Sequence, residues 1–365
     1  MNRKRLRWNT RRWWTGFAAG ILLAVLARGV MYINDLGRHV EQDGFARLAE
    51  IESIDLQKDK AAAKATAAKK PPAKALPKDY DRTRVSVYLE KEKRIETVPL
   101  ELYVRGVIAG EMPVEFEQEA LKAQAIAART YIYRRLSSGD HSGMANIQAD
   151  VRNTVQHQVY VPLAELLSRW EGEQKETYLT KLNRAVEETK GQIVTYDGEP
   201  IQATFFSTSN GYTENASDYW ASADIPYLRS VTSPWDKLIS PEYKETTKLK
   251  IAAVAEKLGV KPSEVKQMRV LETTEGKRVK ALVVGDKQLS GREVREKLGL
   301  PSSQFTWSFK GDEVEITTYG YGHGVGMSQW GANGMAQEGK TAKEILAHYY
   351  SGTKVETASK LDLQS

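Results

Sequence analysis

Glu111 is a candidate general acid because of where it stands in the sequence. It ends the apolar segment GVIAGE (106–111), and Pro113 disfavours helix at the residue before it, so the carboxyl should lie near a helix terminus. A carboxyl among apolar side chains has a raised pKa and can keep its proton for general-acid catalysis. Glu119 is the second candidate, although an acidic residue there could equally complement the dipole of the next helix.

The stretch YGYGHGVGMSQWGANGMA (319–336) is unusually rich in glycine. Each glycine costs roughly 0.5–1 kcal/mol in ordered backbone relative to alanine, so the backbone either takes positive φ or is closely approached. The pattern is not that of a phosphate-binding P-loop. A surface for close approach of a sugar polymer fits, with Tyr321 and Trp330 as apolar platforms. A tight turn that only reverses the chain is the alternative.

A third stretch, FFSTSNGYTENASDYW (205–220), is dense in hydroxyl, amide and aromatic side chains. It follows a predicted hairpin, and a loop of this composition suits an elongated, polar ligand with many hydroxyl groups. An ordinary surface loop is the alternative. The candidate ligand-binding residues in this stretch are Ser207, Ser209 and Glu214.

The sequence offers little for a metal ion. It contains no cysteine, which excludes disulfides, thiolate metal sites and a cysteine nucleophile. Its five histidines show no H-E-x-x-H motif and no paired spacing. A three-ligand site formed by His141, His157 and His323 stays open, but a lone histidine is more often a plain hydrogen-bonding residue. We therefore expect no metal and no cofactor.

The charge of the chain is concentrated in its first residues. The net charge is +6, and residues 1–12 contain six basic residues and no acidic one, which leaves 47 basic against 47 acidic residues in the rest. A neutral body argues against a nucleic-acid-binding surface. The basic tail instead fits the cytoplasmic face of a membrane.

A transmembrane anchor is predicted directly after this tail. Trp13–Ile33 is a mostly apolar segment of 21 residues, which as a helix would span about 30 Å. Arg28 interrupts it near one end, where its side chain could snorkel. The uninterrupted apolar run 17–27 would also suit a cleaved signal peptide. We expect an uncleaved single-pass anchor, with the tail in the cytoplasm and the rest outside.

The remaining chain predicts an α+β fold rather than a parallel doubly wound sheet, because hairpin signals interrupt the helical ones. The predicted organisation is a cytoplasmic tail (1–12), an anchor (13–33), a stalk and Ala/Lys/Pro linker (34–80), one extracytoplasmic domain with a substrate cleft (81–356) and a tail (357–365). The predicted helices are 100–110, 117–136, 250–258, 291–298 and one from about Ser328. The predicted strands are 84–89, two in 191–206 around Asp197-Gly198, runs within 268–285, and 314–319 as the last strand.

Five segments together resemble the stage II sporulation protein D family, the membrane-anchored lytic transglycosylases of endospore-forming bacteria. The resemblance spans residues 85–355, and its order agrees with an N-terminal anchor and an outside domain. The segments are EMPVEFEQEALKAQAIAARTY (111–131), DVRNTVQHQVY (150–160), FFSTSNGYTENASDYW (205–220), IPYLRSV (225–231) and YGHGVGMSQWGANGMA (321–336).

The resemblance implies cleavage of peptidoglycan glycan strands after N-acetylmuramic acid, with a 1,6-anhydro product. It further implies a role in septal wall remodelling and forespore engulfment, with sporulation proteins P and M as partners. One glutamate suffices for this chemistry, unlike that of most glycosidases. We assign it to Glu111, with Glu119 as the second choice. The family's glycine-rich motif implies that His323, Ser328 and Gln329 line the cleft.

One departure and one alternative accompany the resemblance. Some relatives carry zinc-binding histidines and cysteines in the segment corresponding to 141–158, where this chain has only His141 and His157, so we predict no structural zinc. The same domain resembles amidase-enhancer proteins, which bind the wall without cutting it. In that case Glu111 would be a ligand contact in a binding groove.

Overall fold

The computed structural model describes residues 80–220 and 224–358. The predicted tail, anchor and linker precede these residues and lie outside them. Within the described ranges, none of the helices is both long and apolar enough to cross a membrane.

The described chain is a mixed α+β structure, as predicted. The helices are α1 Leu100–Glu111, α2 Gln118–Ser138, α3 Leu163–Ser168, α4 Gly172–Glu187, α5 Ala216–Tyr219, α6 Asp236–Ile239, α7 Ile251–Leu258, α8 Pro262–Val265, α9 Gly291–Leu298, α10 Gln329–Gln337 and α11 Ala342–Tyr349, after a 3₁₀ turn at Tyr80–Arg82. Helix α3 lies within residues 162–171, which belong to a separate compact unit.

The strands form small sheets rather than one continuous sheet. They are β1 Arg84–Leu89, β2 Arg94–Pro99, β3 Val151–Arg152, β4 Gln192–Tyr196, β5 Glu199–Pro200, β6 Phe205–Phe206, β7 Lys244–Lys250, β8 Arg269–Thr273, β9 Val279–Val284, β10 Lys287–Ser290, β11 Phe305–Lys310, β12 Glu313–Tyr319, β13 Met327–Ser328 and β14 Lys354–Thr357. The strand orders are β2-β1-β3, β14-β4-β5, β10-β9-β8, β11-β12-β7 and β13-β6.

Helix α2 is a central element of the described structure, because several other helices pack against it. Its alanines at 120, 123, 125, 127 and 128 are buried, and α1, α10 and α11 all contact it. Small side chains let these neighbouring helices approach closely. The helix ends at Gly139, whose left-handed backbone (φ 60°) accommodates the chain reversal without a Cβ penalty.

Residues 244–319 build a second hydrophobic core. Side chains from α7, α8, β9, β10, α9, β11 and β12 pack into one buried cluster there. This segment is inserted between the polar 205–220 stretch and the glycine-rich loop. Its last strand, β12, leads directly into the glycine-rich loop.

Most of the predicted elements are confirmed, but the prediction that 314–319 is the last strand of the chain is wrong. Strand 84–89, helices 100–110, 117–136, 250–258 and 291–298, and the helix after Ser328 all match within a few residues. The strand at 314–319 is not the last one, because β13 and β14 follow it. Strand β13 has only two residues, and β14 forms by pairing with β4, a contact more than 150 residues away in sequence.

Candidate active site

A cleft of about 720 Å³ lies where the end of α1, strand β6, the glycine-rich loop and the start of α10 meet. The structure brings six of the predicted site residues together in its lining: Glu111, Ser207, Tyr321, His323, Gln329 and Trp330. The other four, Glu119, Ser209, Glu214 and Ser328, are not among the residues that line it.

Glu111 is the last residue of α1, and its carboxyl faces the cleft. The chain turns to extended backbone at Met112, as the following proline dictates. The Val159 N–H donates to Glu111 Oε1 at 2.6 Å. Burial raises the pKa of Glu111 to about 7, against the opposing effects of this bond and of the nearby Gln329 side chain. Glu111 is therefore substantially protonated at neutral pH.

The backbone of Val159 reaches Glu111 because Gly110 leaves room for it. A Cβ at Gly110 would lie 2.4 Å from the Val159 carbonyl oxygen and 2.9 Å from its carbon, too close for any real contact. The glycine of the GVIAGE segment is thus explained by the approach of the chain's own backbone.

We expect Gly110→Ala to lower the free energy of unfolding by about 1–3 kcal/mol, because the Val159 backbone must move. The same movement breaks the N–H bond to Glu111, so turnover should fall as well. Urea unfolding followed by circular dichroism measures the first effect. Unchanged stability would contradict the packing described above.

The glycine-rich loop owes its composition to both backbone conformation and close approach. Gly320, Gly322, Gly324 and Gly326 all have positive φ. At Gly326 a Cβ would lie 2.1 Å from the Thr204 carbonyl oxygen. The approaching atoms belong to this chain. The loop presents Tyr321 at the cleft, where its side chain is 43% exposed.

His323 projects from this loop into an aromatic surround. Its ring lies 5.7, 5.6 and 5.7 Å, centroid to centroid, from those of Phe206, Tyr219 and Trp220. Burial, together with the Arg295 and Arg278 charges, lowers the pKa of His323 to about 3. Its Nδ1 accepts from the Val325 N–H at 3.0 Å, so the proton of the neutral ring sits on Nε2. This histidine is an uncharged hydrogen-bonding group at neutral pH.

Two of the predicted ligand-binding serines are buried below the cleft. Ser328 caps the N-terminus of α10, accepting from Gly331 N–H, and donates to Asp236. The Ser209 N–H also donates to Asp236, at 2.7 Å, and its hydroxyl donates to the Ser233 carbonyl at 3.0 Å. Both serines therefore hold the cleft's supporting loops together through one buried aspartate.

Glu214 is also buried, at 2% exposure, beneath the glycine-rich loop. Its Oε1 accepts from Thr274 at 2.9 Å and lies 3.6 Å from Arg278 Nε. Burial raises the pKa of Glu214 to about 7, although the Arg278 charge opposes that rise. The Glu214 N–H donates to the Gly324 carbonyl at 2.8 Å, so this residue fixes the loop from below.

Glu119 points away from the cleft lining. Its Oε2 accepts from the Ala342 N–H at 2.7 Å, at the start of α11, and its Oε1 pairs with Lys122. A carboxylate at a helix N-terminus is favoured by the helix dipole. This contact gives Glu119 a structural role, and of the two glutamates predicted as the acid only Glu111 lines the cleft.

Sequence reasoning missed five polar residues that line the cleft. They are Tyr131, Gln158, Thr204, Glu242 and Arg295. Glu242 accepts from the Ser207 hydroxyl at 2.9 Å. Arg295 comes from α9, in the inserted core, and no local pattern links it to Glu111. Gln158 lies in the segment 150–160, one of those that resemble the family, and only this resemblance could have pointed to Gln158 as a cleft residue.

No trio of His, Cys, Asp or Glu in residues 80–220 and 224–358 is placed to hold a metal ion. His157 is held by hydrogen bonds instead. Its Nδ1 accepts from the Arg152 N–H at 3.2 Å, and its Nε2 lies 3.1 Å from the Ser142 carbonyl oxygen. These bonds tie together the two ends of the segment 141–158.

The amino-acid sequence is similar to those of known sporulation proteins. A family model described as "Stage II sporulation protein" matches residues 88–196. Stage II sporulation protein D of Bacillus subtilis (strain 168) is 50% identical over 275 residues, or 75% of this chain and 79% of that protein. Its counterpart in Bacillus amyloliquefaciens is 47% identical with the same coverage.

A more distant similarity links the chain to a protein named for another activity. The amidase enhancer of Bacillus subtilis (strain 168) is 29% identical over 304 residues. These residues cover 68% of this chain and 40% of the enhancer.

Proposed function

The chain belongs to the stage II sporulation protein D family, and we propose that it is a peptidoglycan lytic transglycosylase. In this proposal it cuts glycan strands after N-acetylmuramic acid during septal wall remodelling and forespore engulfment. It works at the cell membrane, anchored through the segment 13–33 with its domain outside the cytoplasm. Sporulation proteins P and M are its proposed partners.

The observation that carries the proposal is a buried carboxyl with a raised pKa, Glu111, in the lining of a cleft of about 720 Å³. Because Oε1 of Glu111 accepts from Val159, the acid proton belongs on the other oxygen, Oε2. Tyr321 and Trp330 line the same cleft and offer ring faces on which sugars can stack. Trp330 is held edge-on by Phe116, with centroids 4.7 Å apart.

The proposed reaction moves one proton out of Glu111 and one back. The Oε2 proton passes to the glycosidic oxygen while the bond from that oxygen to C1 of N-acetylmuramic acid breaks. The Glu111 carboxylate then takes the proton of the C6 hydroxyl, and O6 bonds to C1 to close the anhydro ring. The acid is restored, and no water is consumed.

The products of purified glycan strands identify the reaction. The full chain is incubated with strands, and the new ends are analysed by mass spectrometry. Ends carrying 1,6-anhydro-muramic acid support the transglycosylase. Reducing ends would indicate hydrolysis, for which Glu242 at the cleft would be the second carboxylate to test.

The rate should fall with rising pH because the reaction begins with protonated Glu111. The pKa of this carboxyl is raised to about 7, so kcat/KM should decline about tenfold per pH unit well above pH 7. Measuring cleavage from pH 5 to pH 9 checks this. Glycan binding by Glu111→Gln over the same range is the control, because the pKa of Glu214 is also raised to about 7. A rate that rises above pH 7 would contradict the assignment.

A non-catalytic enhancer of an amidase is the second candidate function, favoured by the similarity to the amidase enhancer. Under that function the cleft binds wall glycan and Glu111 contacts the ligand. The chain would then raise the activity of an amidase and release no glycan fragments by itself.

A further inference from the structure

A second groove, of about 1030 Å³, shares none of its lining residues with the cleft. Its walls are the last turns of α2, the β4–β5 hairpin, the Pro226–Tyr227 segment and strand β14. Tyr196 and Tyr227 form a tilted ring pair in this groove, with centroids 5.4 Å apart. The proposed reaction uses none of these side chains, so the composition of the groove needs an explanation of its own.

The apolar part of the groove consists of tyrosine and proline rings, including Pro200. Grooves lined by aromatic rings bind proline-rich segments, because the polyproline II conformation is preformed and loses little entropy on binding. Its charged side chains are exposed Glu199 and Glu356, together with Arg134. In the described part of the chain neither carboxylate forms an ion pair, although Glu356 accepts from the Thr195 hydroxyl at 2.6 Å. A proline-rich ligand with positive charges fits this lining.

The described chain begins close to this groove. Tyr80 is 1% exposed, and its hydroxyl donates to Glu101 at 2.5 Å. Arg129 of α2 donates to the same carboxylate at 2.6 Å and to the Gln192 carbonyl, at the start of β4, at 3.2 Å. Both α2 and β4 continue from these contacts into the walls of the groove. Tyr133, the first of the α2 residues in the lining, is one turn or about 6 Å further along the helix.

The eight residues that precede Tyr80 have the composition that the groove favours. Residues 72–79 read PAKALPKD, with two prolines and two lysines against one aspartate. Eight extended residues reach up to about 28 Å, whereas Gln192 and Tyr196 lie about 13 Å apart along β4. The segment is therefore long enough to run from Tyr80 through the groove.

We propose that residues 72–79 dock in this groove as an extended segment, with Lys74 and Lys78 against Glu199 and Glu356. Docking shortens the free tether and fixes the direction in which the chain leaves the domain. The effect on how the cleft is presented rests on the proposed membrane anchor. The docking itself does not depend on the proposed enzymatic activity.

The distance between two spin labels tests this docking in the full chain. The protein contains no cysteine, so two introduced cysteines carry the labels at known positions. The first pair is Ala73→Cys and Lys354→Cys, the latter an exposed residue of β14 outside the groove lining. We expect pulsed electron paramagnetic resonance to give one short, narrow distance distribution. The pair Ser263→Cys and Lys354→Cys, both exposed on described elements, reports whether the domain is intact.

Charge reversal assigns the docking to this groove. Glu199→Lys/Glu356→Lys should lower the ratio of docked to undocked chains on the order of tenfold, because two attractive pairs become repulsive. Adding Lys74→Glu/Lys78→Glu should restore the narrow distribution, since the same pairs form again with their signs exchanged. The control distance should stay the same in every variant.

A matched variant separates the groove from an effect of net charge. Glu256→Lys/Glu338→Lys changes the net charge equally at two exposed positions outside the groove, and it should keep the narrow distribution. A broad distribution in the labelled chain without charge changes would overturn the inference. So would a narrow one that survives Glu199→Lys/Glu356→Lys or that the exchange of signs does not restore. Failure of the proposed function is distinguishable, because none of these measurements depends on glycan cleavage.

Discussion

Glu111→Gln should lower the formation of anhydro products by a factor of about 10³ or more while leaving glycan binding in place. A positioned acid or base contributes roughly 10²–10⁴, and this one residue serves in both steps of the proposed reaction. Glutamine has the same shape, and its Oε1 can still accept from Val159, so the geometry of the cleft is kept. Mass spectrometry of products and co-sedimentation with glycan measure the two effects.

Two further carboxylates serve as controls for this result. Glu119→Gln should keep activity, because this residue caps α11 away from the cleft lining, and should lose about 1 kcal/mol of stability at most. Glu242→Gln tests whether a second cleft carboxylate is needed. Loss of activity in Glu119→Gln with activity retained in Glu111→Gln would reverse the assignment of the acid.

The same variant separates the enzyme from the enhancer. A wall-binding enhancer needs Glu111 only as a contact, and glutamine preserves much of that contact. Stimulation of an amidase that survives Glu111→Gln, with no glycan cleavage by the unsubstituted chain, would therefore move the assignment to the enhancer.

The sequence predicted those parts of the fold that local patterns determine. Helix α9 begins after a capping box formed by Ser290 and Glu293, and Gly299 caps its end. Residues close in sequence therefore determine both ends of this helix. Strand β14 was missed because its four residues become a strand only by pairing with β4. Helix α4 was missed because most of its side chains are polar and its first buried residue is Leu179, about halfway along it.

The candidate site shows the same division. Glu111 was identified because an apolar helix and a proline mark its position locally. Ser209, Ser328 and Glu214 were assigned to ligand binding, yet their polar groups bond to buried Asp236 or Arg278. The same polar residue types stabilise buried loops and bind sugars. Only tertiary contacts distinguish the two uses.

The contact between Glu214 and Arg278 leads to the second large expected effect. Glu214→Leu should lower the free energy of unfolding by about 3–5 kcal/mol, because it leaves a buried guanidinium without its counter-charge. Arg278 is 1% exposed, and burial lowers its pKa to about 10 even with Glu214 present. Its Nε and Nη2 have no hydrogen-bond partner in the described chain, and Ser302 accepts from Nη1 at 2.6 Å. Urea unfolding measures the loss.

The double variant Glu214→Leu/Arg278→Met should recover most of that stability, since the charge and its counter-charge leave together and apolar packing replaces them. Activity should not recover with it. The Arg278 guanidinium lies directly under Gly324, where a Cβ would come within 2.5 Å of it, and so supports the loop that carries His323. A stable but slow double variant would show that this pair positions the cleft. A double variant as unstable as the single one would mean that Thr274 and the loop contacts, rather than the charge, hold Glu214 in place.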